Sequence, residues 1–220
     1  MWYRFVYLFA KILLKLVMHL EVAGRENVPE RGPFILATNH LHFLDPPIIF
    51  VALPFRRITV LAAEKWENVF PVGPLLKSMG AIFVQRGEVD RRALAALLQC
   101  LEGGGIVGLA PEGTRSPVGA LQRGKMGIAY LATKADVPVL PVGISGQQHI
   151  YRDWKRFRRP RVRVRIGALI TLPPVDGYNK GKQLQALTDQ VMVELARLID
   201  PDLRGVYAEA VGRTKHLPEV

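Results

Sequence analysis

At 220 residues the chain has the size of one ordinary domain, long enough to bury a full core. Its single cysteine, Cys100, excludes an internal disulfide and any cysteine-rich zinc site, and makes a reducing cytosolic setting the default. The surplus of 30 Lys and Arg over 19 Asp and Glu gives a net charge of +11, which points to an anionic partner: nucleic acid, acidic lipid headgroups or an acidic carrier protein.

The first twenty residues carry the strongest membrane signal. Arg4, Lys11 and Lys15 are spaced by seven and four, so they share one narrow face of a helix, while Trp2, Phe5, Leu8, Phe9, Ile12, Leu13, Leu16 and Leu20 fill the rest. A helix of this kind lies in the headgroup layer with its cations snorkelling outward. A signal peptide fits less well, because no small-residue cleavage site follows and Glu21 comes directly after the apolar run. The alternative is a helix packed on the domain with a charged outer stripe. The reading divides the chain into a membrane-associating helix over 1–24, a main domain over 25–203 and a peripheral tail over 204–220.

Pro33-Phe34-Ile35-Leu36 reads as a short buried strand after Gly32. Asp45-Pro46-Pro47 reads as a helix start, with Asp45 at the N-cap and proline at the first helical position. His40 therefore falls in the strand-to-helix turn. On a helix, His40 and Asp45 would stand about 140° apart; in a turn they can meet. A carboxylate on one imidazole nitrogen fixes the tautomer and leaves the other nitrogen free to take a proton. The plainer alternative has Asp45 only capping the helix and His40 a satisfied turn residue.

Two further strands follow, over 58–62 and over 81–84. The second runs into Gln85-Arg86-Gly87. Arg86 at a strand end stands where α/β folds bind ligands, although a surface cation would look the same. A helix over 89–101 buries Leu94, Leu97, Leu98 and Leu101 and stops at Gly103-Gly104-Gly105. Cys100 lies late in it with no histidine near in sequence, and reads as filler.

The strand over 106–110 delivers Pro111-Glu112-Gly113-Thr114-Arg115-Ser116. Gly113 lets the backbone approach a ligand, Thr114 adds a hydroxyl, and Arg115 offers a planar fork suited to phosphate. Lys125 stands near the start of a helix over 128–134, adding a point charge where backbone N–H groups already favour an anion. Solvated cations on a well-formed turn are the alternative. A buried strand over 137–143 contains two prolines, suggesting an edge or strand ends. Arg161-Val162-Arg163-Val164-Arg165-Ile166 alternates strictly, as a half-buried strand with arginines outward. Together with Arg152, Lys155, Arg156, Arg158 and Arg159 these arginines set eight cations against Asp153. They would attract a membrane surface or an acidic carrier, or they blunt an edge strand. A helix over 181–199 carries Leu184, Leu187, Val191, Leu195 and Leu198 on one side. Strands interleaved with helices make this an α/β chain, a single domain with a mixed, largely buried sheet flanked by helices.

Four blocks stand in fixed order: Asn39-His40 to Asp45, Ala81 to Gly87, Pro111 to Ser116, and Val137 to Val142. Together they resemble the glycerolipid acyltransferases, above all those that acylate 1-acyl-glycerol-3-phosphate to phosphatidic acid. The similarity runs from Phe34 to Gly143 and more weakly to Gly167. The resemblance implies that His40 is the general base of a His-x4-Asp motif with Asp45 as its partner. It also implies that Arg86, Glu112, Gly113, Thr114 and Arg115 hold the acceptor's glycerol phosphate. Two positions depart from the family pattern: His42 stands where serine is frequent, and Gln85 where aspartate is common. The expected donor is acyl-CoA or an acyl carrier protein, with no metal and no organic cofactor. The expected partners are lysophosphatidic acid and an anionic membrane surface, met at its cytoplasmic face. The same chemistry on another lysophospholipid or a glycolipid is the alternative, with an idle lipid-binding protein further off. No helix-turn-helix, zinc finger or aromatic stacking motif accompanies the cations, so nucleic acid is not expected.

Overall fold

A computed structural model describes residues 2–53, 57–70, 72–78, 80–84 and 91–213. Helix α1 (Trp2–Val17) leads directly into strand β1 (His19–Ala23), and β2 (Phe34–Thr38) leads into α2 (Asp45–Ala52). There follow β3 (Ile58–Ala63), α3 (Val72–Ser78), β4 (Ile82–Val84), α4 (Arg91–Glu102), β5 (Ile106–Leu109) and α5 (Gly127–Ala135). The chain continues through β6 (Val139–Ser145), α6 (Ile150–Trp154), β7 (Arg161–Ile166), α7 (Lys180–Leu198) and α8 (Ala208–Arg213).

The strands form one sheet in the order β1-β7-β6-β2-β5-β3-β4. All neighbours are parallel except β6 and β7, which run antiparallel. Helices cover both faces. Side chains of α1 and α2 pack on one, around Phe34, Leu36, Leu140 and Val164. Those of α4, α5 and α7 pack on the other, around Ile35, Val107 and Val139. This double cover is why β2 and β6 read as unbroken apolar runs rather than alternating ones. Chain leaving β2 goes to α2 on the first face, whereas chain leaving β5, its paired neighbour, goes to α5 on the second. Their loops diverge there and leave a crevice at the strands' C-terminal ends, where α/β sheets bind ligands.

Several expectations change. The N-terminal helix stops at Val17, and residues 19–23 of the expected helical segment 1–24 are strand β1, paired in register with β7 from His19 opposite Arg161 to Ala23 opposite Arg165. β7 is thus an inner strand, so its arginines do not blunt an edge. β6 is likewise internal; Pro141 sits within it opposite Ala37. Residues 204–213 are not a peripheral tail: Tyr207 and Val211 pack with Leu121, Met192, Leu195 and Leu203 in a third apolar cluster. Helix α2 begins with Asp45 itself, and Leu44 stands at the N-cap with no side-chain bond to the helix.

Candidate active site

The crevice is built from the turn that follows β2. Asn39 is fully buried, and its amide does the work of a strand backbone: Nδ2 donates to Ile144 O at 2.9 Å while Oδ1 accepts from Ile144 N at 2.8 Å. This side chain extends the β2–β6 pairing beyond its last register pair, Thr38 opposite Val142, and frees the main chain to turn. His40 is thereby set on the sheet's rim. Its ring Nδ1 lies 2.9 Å from Asp45 Oδ2. The same oxygen accepts from Leu41 N and His42 N, both at 2.7 Å. With Oδ2 committed as an acceptor, the imidazole donates through Nδ1–H, which leaves the Nε2 lone pair available. Side-chain exposure is 3% for Asp45 and 20% for His40, so the carboxylate is sealed in and the imidazole reaches solvent. Asp45 therefore closes the turn behind it instead of capping the helix ahead.

The loop after β5 is locked to this turn. Glu112 Oε1 accepts from His40 N at 3.3 Å and Oε2 from Gln122 N at 2.9 Å; Ser116 N donates to His40 O at 2.9 Å. Glu112 is 2% exposed, and burial raises its carboxyl pKa against the opposing pull of these two backbone donors. The carboxylate expected to hold the acceptor is turned inward and bridges the two loops. Gly113 has φ 73°, and a Cβ there would stand 3.0 Å from Lys125 Cδ and Nζ. Glycine is what lets the lysine cross over this loop. None of the ion pairs among the described residues involves Arg115 or Lys125. Both are exposed, and Thr114 is half-buried beside Gly113.

His42 sits behind the His40–Asp45 turn. Its Nδ1 accepts from Leu44 N at 3.2 Å, and its ring packs 4.6 Å from Phe43 and 4.8 Å from Tyr151. Burial lowers its pKa; Asp45 pulls the other way, and the charges of Arg115 and His40 push it further down. A ring nitrogen thus serves the turn where serine is frequent in the resembled family. Among the described residues, no group of three or more His, Cys, Asp or Glu is placed to share a metal ion. Arg86 lies outside the described residues.

Residues 19–145 match the Acyltransferase family. The chain belongs to that family. It is 30% identical over 212 residues to the 1-acyl-sn-glycerol-3-phosphate acyltransferase alpha of Bos taurus, covering 89% of this chain and 71% of that one. It is 28% identical over 180 residues to the 1-acyl-sn-glycerol-3-phosphate acyltransferase of Borreliella burgdorferi, covering 79% and 70%. The fold matches the crystal structure of the 1-acyl-sn-glycerophosphate acyltransferase PlsC from Thermotoga maritima, with a TM-score of 0.68 and 23% identity over 99% of this chain and 81% of that one.

In this acyltransferase, part of the support for the crevice comes from outside the matched stretch. Tyr207 Oη accepts from Gly124 N at 3.0 Å and donates to Asp189 Oδ1 at 2.8 Å. Gln185 Nε2 reaches both Asp189 Oδ1, at 3.0 Å, and Gly124 O, at 3.2 Å. Leu121 N donates to Leu203 O at 2.8 Å, and Leu41 of the His40–Asp45 turn packs against the third apolar cluster. The segment over 121–125, which carries Gln122 and Lys125, is thus fastened to α7 and to the segment after it. Nothing in the local sequence marks Tyr207, since its partners lie far away along the chain.

Proposed function

We propose that this acyltransferase moves a fatty acyl group from an acyl thioester to the free hydroxyl of a 1-acyl-glycerol-3-phosphate, giving phosphatidic acid in phospholipid synthesis. The observation that carries this is an imidazole whose Nδ1 is held by a buried carboxylate at 2.9 Å, in a turn bonded through His40 O and Ser116 N to the loop that carries Arg115. His40 takes the hydroxyl proton at Nε2, and the alkoxide oxygen bonds to the thioester carbonyl carbon. The carbonyl re-forms as the carbon–sulfur bond breaks, and the thiol leaves as a thiolate. A thiol pKa of about 8.5 makes that departure easy, so one base suffices and the proton on His40 passes to the thiolate or to water. Asp45 steadies the imidazolium that forms between these steps. Arg115, Thr114 and Lys125, with Arg86 by its motif, hold the acceptor phosphate. The reaction needs no resident metal or organic cofactor; acyl-CoA or an acyl carrier protein serves as donor.

The membrane part of the reading rests on α1. Phe5, Leu8, Phe9, Ile12, Leu13 and Leu16 are all exposed, and Tyr3, Val6 and Leu14 face the core. Arg4, Lys11 and Lys15 run along one margin of the exposed apolar face, which suits a helix lying in an anionic interface. Among the described residues no helix is long and apolar enough to cross a membrane.

The purified protein, given vesicles, an acyl thioester and a panel of lysolipids, should release free thiol with lysophosphatidic acid and form phosphatidic acid by mass spectrometry. His40→Ala should abolish that release. Persistent acyl transfer in His40→Ala, or preference for an acceptor lacking the terminal phosphate, overturns the proposal.

A further inference from the structure

Phe157 is 102% exposed, and its backbone has φ 54°, a region few residues other than glycine adopt and aromatic residues rarely. The exposed ring gains no burial in the chain to offset the backbone strain, and outliers of this kind persist where they serve a function. The turn that presents it is not loose. Lys155 N donates to Tyr151 O at 3.1 Å, Arg156 N and Arg158 N to Asp153 O at 3.0 and 2.9 Å, and Phe157 N to Trp154 O at 3.0 Å.

The same turn is fastened to the end of α1. Trp154 Nε1 donates to Val17 O at 2.9 Å, and the Arg159 guanidinium reaches Lys15 O and, at 2.9 Å, Met18 O. Val17, Trp154, Phe157, Arg158 and Arg159 line an open groove of about 350 Å³. Val17 follows directly on Leu16, so the exposed apolar face of α1 runs on into this groove. Lys155, Arg156 and Arg158 flank the aromatic ring in sequence and are exposed. An aromatic ring among cations matches the interface of an anionic bilayer, with the ring among acyl chains and the charges at the phosphates.

We propose that the Phe157 turn is a second membrane-docking element, seated in an anionic bilayer alongside α1. This rests on the membrane reading of α1 given above. The charge complementarity and the continuity with α1 select the bilayer over a protein partner.

The test compares the wild type with Phe157→Asn and Phe157→Trp on vesicles of phosphatidylcholine mixed with phosphatidylglycerol. Asparagine tolerates positive φ, so that variant keeps its fold. Phe157→Asn should partition roughly tenfold more weakly while acting normally on detergent-dispersed substrate, from the lost burial of one large apolar side chain. Phe157→Trp should bind as the wild type does, with a larger vesicle-induced blue shift in emission than the wild type's own three tryptophans give. Equal binding of wild type and Phe157→Asn overturns the proposal and leaves α1 as sole anchor. A wild type that binds no vesicles overturns both readings. Unchanged vesicle binding with slower turnover only when acyl carrier protein is the donor also overturns it, and makes the turn a carrier-docking site.

Discussion

Replacing Glu112 with glutamine separates a bridging carboxylate from one that touches substrate. The native group takes two backbone N–H bonds, from His40 at 3.3 Å and Gln122 at 2.9 Å, in a site only 2% exposed. Glutamine offers one carbonyl oxygen, which would keep the shorter bond, and its amide nitrogen would then face the His40 N–H. A buried donor left unsatisfied costs about 1–3 kcal/mol, partly offset by removing a charge that burial disfavours. A net loss of about 1–2 kcal/mol in urea unfolding is therefore expected. Ser116 and Asp45 still hold the turn, so His40 should shift and not be released; kcat should fall by about 10- to 100-fold with little change in acceptor KM. Because burial raises the Glu112 pKa, the folded chain holds this proton more tightly than the unfolded chain does. Its ionisation thus costs stability as pH rises from the ordinary carboxylate range through the raised value, and the wild type's margin over the variant should narrow across that window. A variant with near-normal kcat and stability but a markedly raised acceptor KM would refute the bridge and put this carboxylate on the substrate.

Asp45→Asn can place its amide oxygen on the three donors now held by Oδ2, but its nitrogen falls where Oδ1 has no partner among the described residues, so thermal melts should show a folded protein destabilised by about 1–3 kcal/mol. The imidazolium would lose its counter-charge, and thiol release should fall by about 10²- to 10⁴-fold. Arg115→Gln should raise KM for a phosphorylated acceptor about tenfold with little change in kcat, as loss of uniform binding does; steady-state kinetics against lysophosphatidic acid measures it. Tyr207→Phe strands the Gly124 N–H and should lower stability by about 1–3 kcal/mol in urea melts. Burial first, and Asp189 after it, push the Tyr207 hydroxyl from its ordinary 10.0 up to about 12. The wild type should keep this contribution below the ordinary value and lose it as pH rises towards the raised one, a slope absent from the variant.

The central strands and the His40–Asp45 pair were legible because each is written locally: an apolar run bounded by turn residues, and a short motif in a turn. β1 was hidden because it follows an amphipathic helix with only Met18 between, and its Leu20 still fits that helix's apolar pattern. Only the free side of β7, far along the chain, makes this segment a strand. Asp45 looked like an N-cap because proline follows it, yet two backbone N–H groups behind it and an imidazole outcompete the helix end. Glu112 shares a motif with Arg115 and seemed to share its task. The inward turn of its side chain depends on Gln122 and His40 meeting across two strands, which spacing does not record. Tyr207 acts through bonds to Gly124 and Asp189, and no periodicity announces a hydrogen bond of that span.

Only Met18 separates α1 from β1, and it is fully buried, with its own N–H bonded to Leu14 O and its carbonyl gripped by Arg159. Such a junction leaves no slack. The helix cannot trail the domain like a leash; it behaves as a keel, so tilting it tilts the whole sheet. If the helix rests on a membrane as proposed, the height of His40 above that surface is set by the architecture, and a lipid would have to rise a fixed distance to meet it.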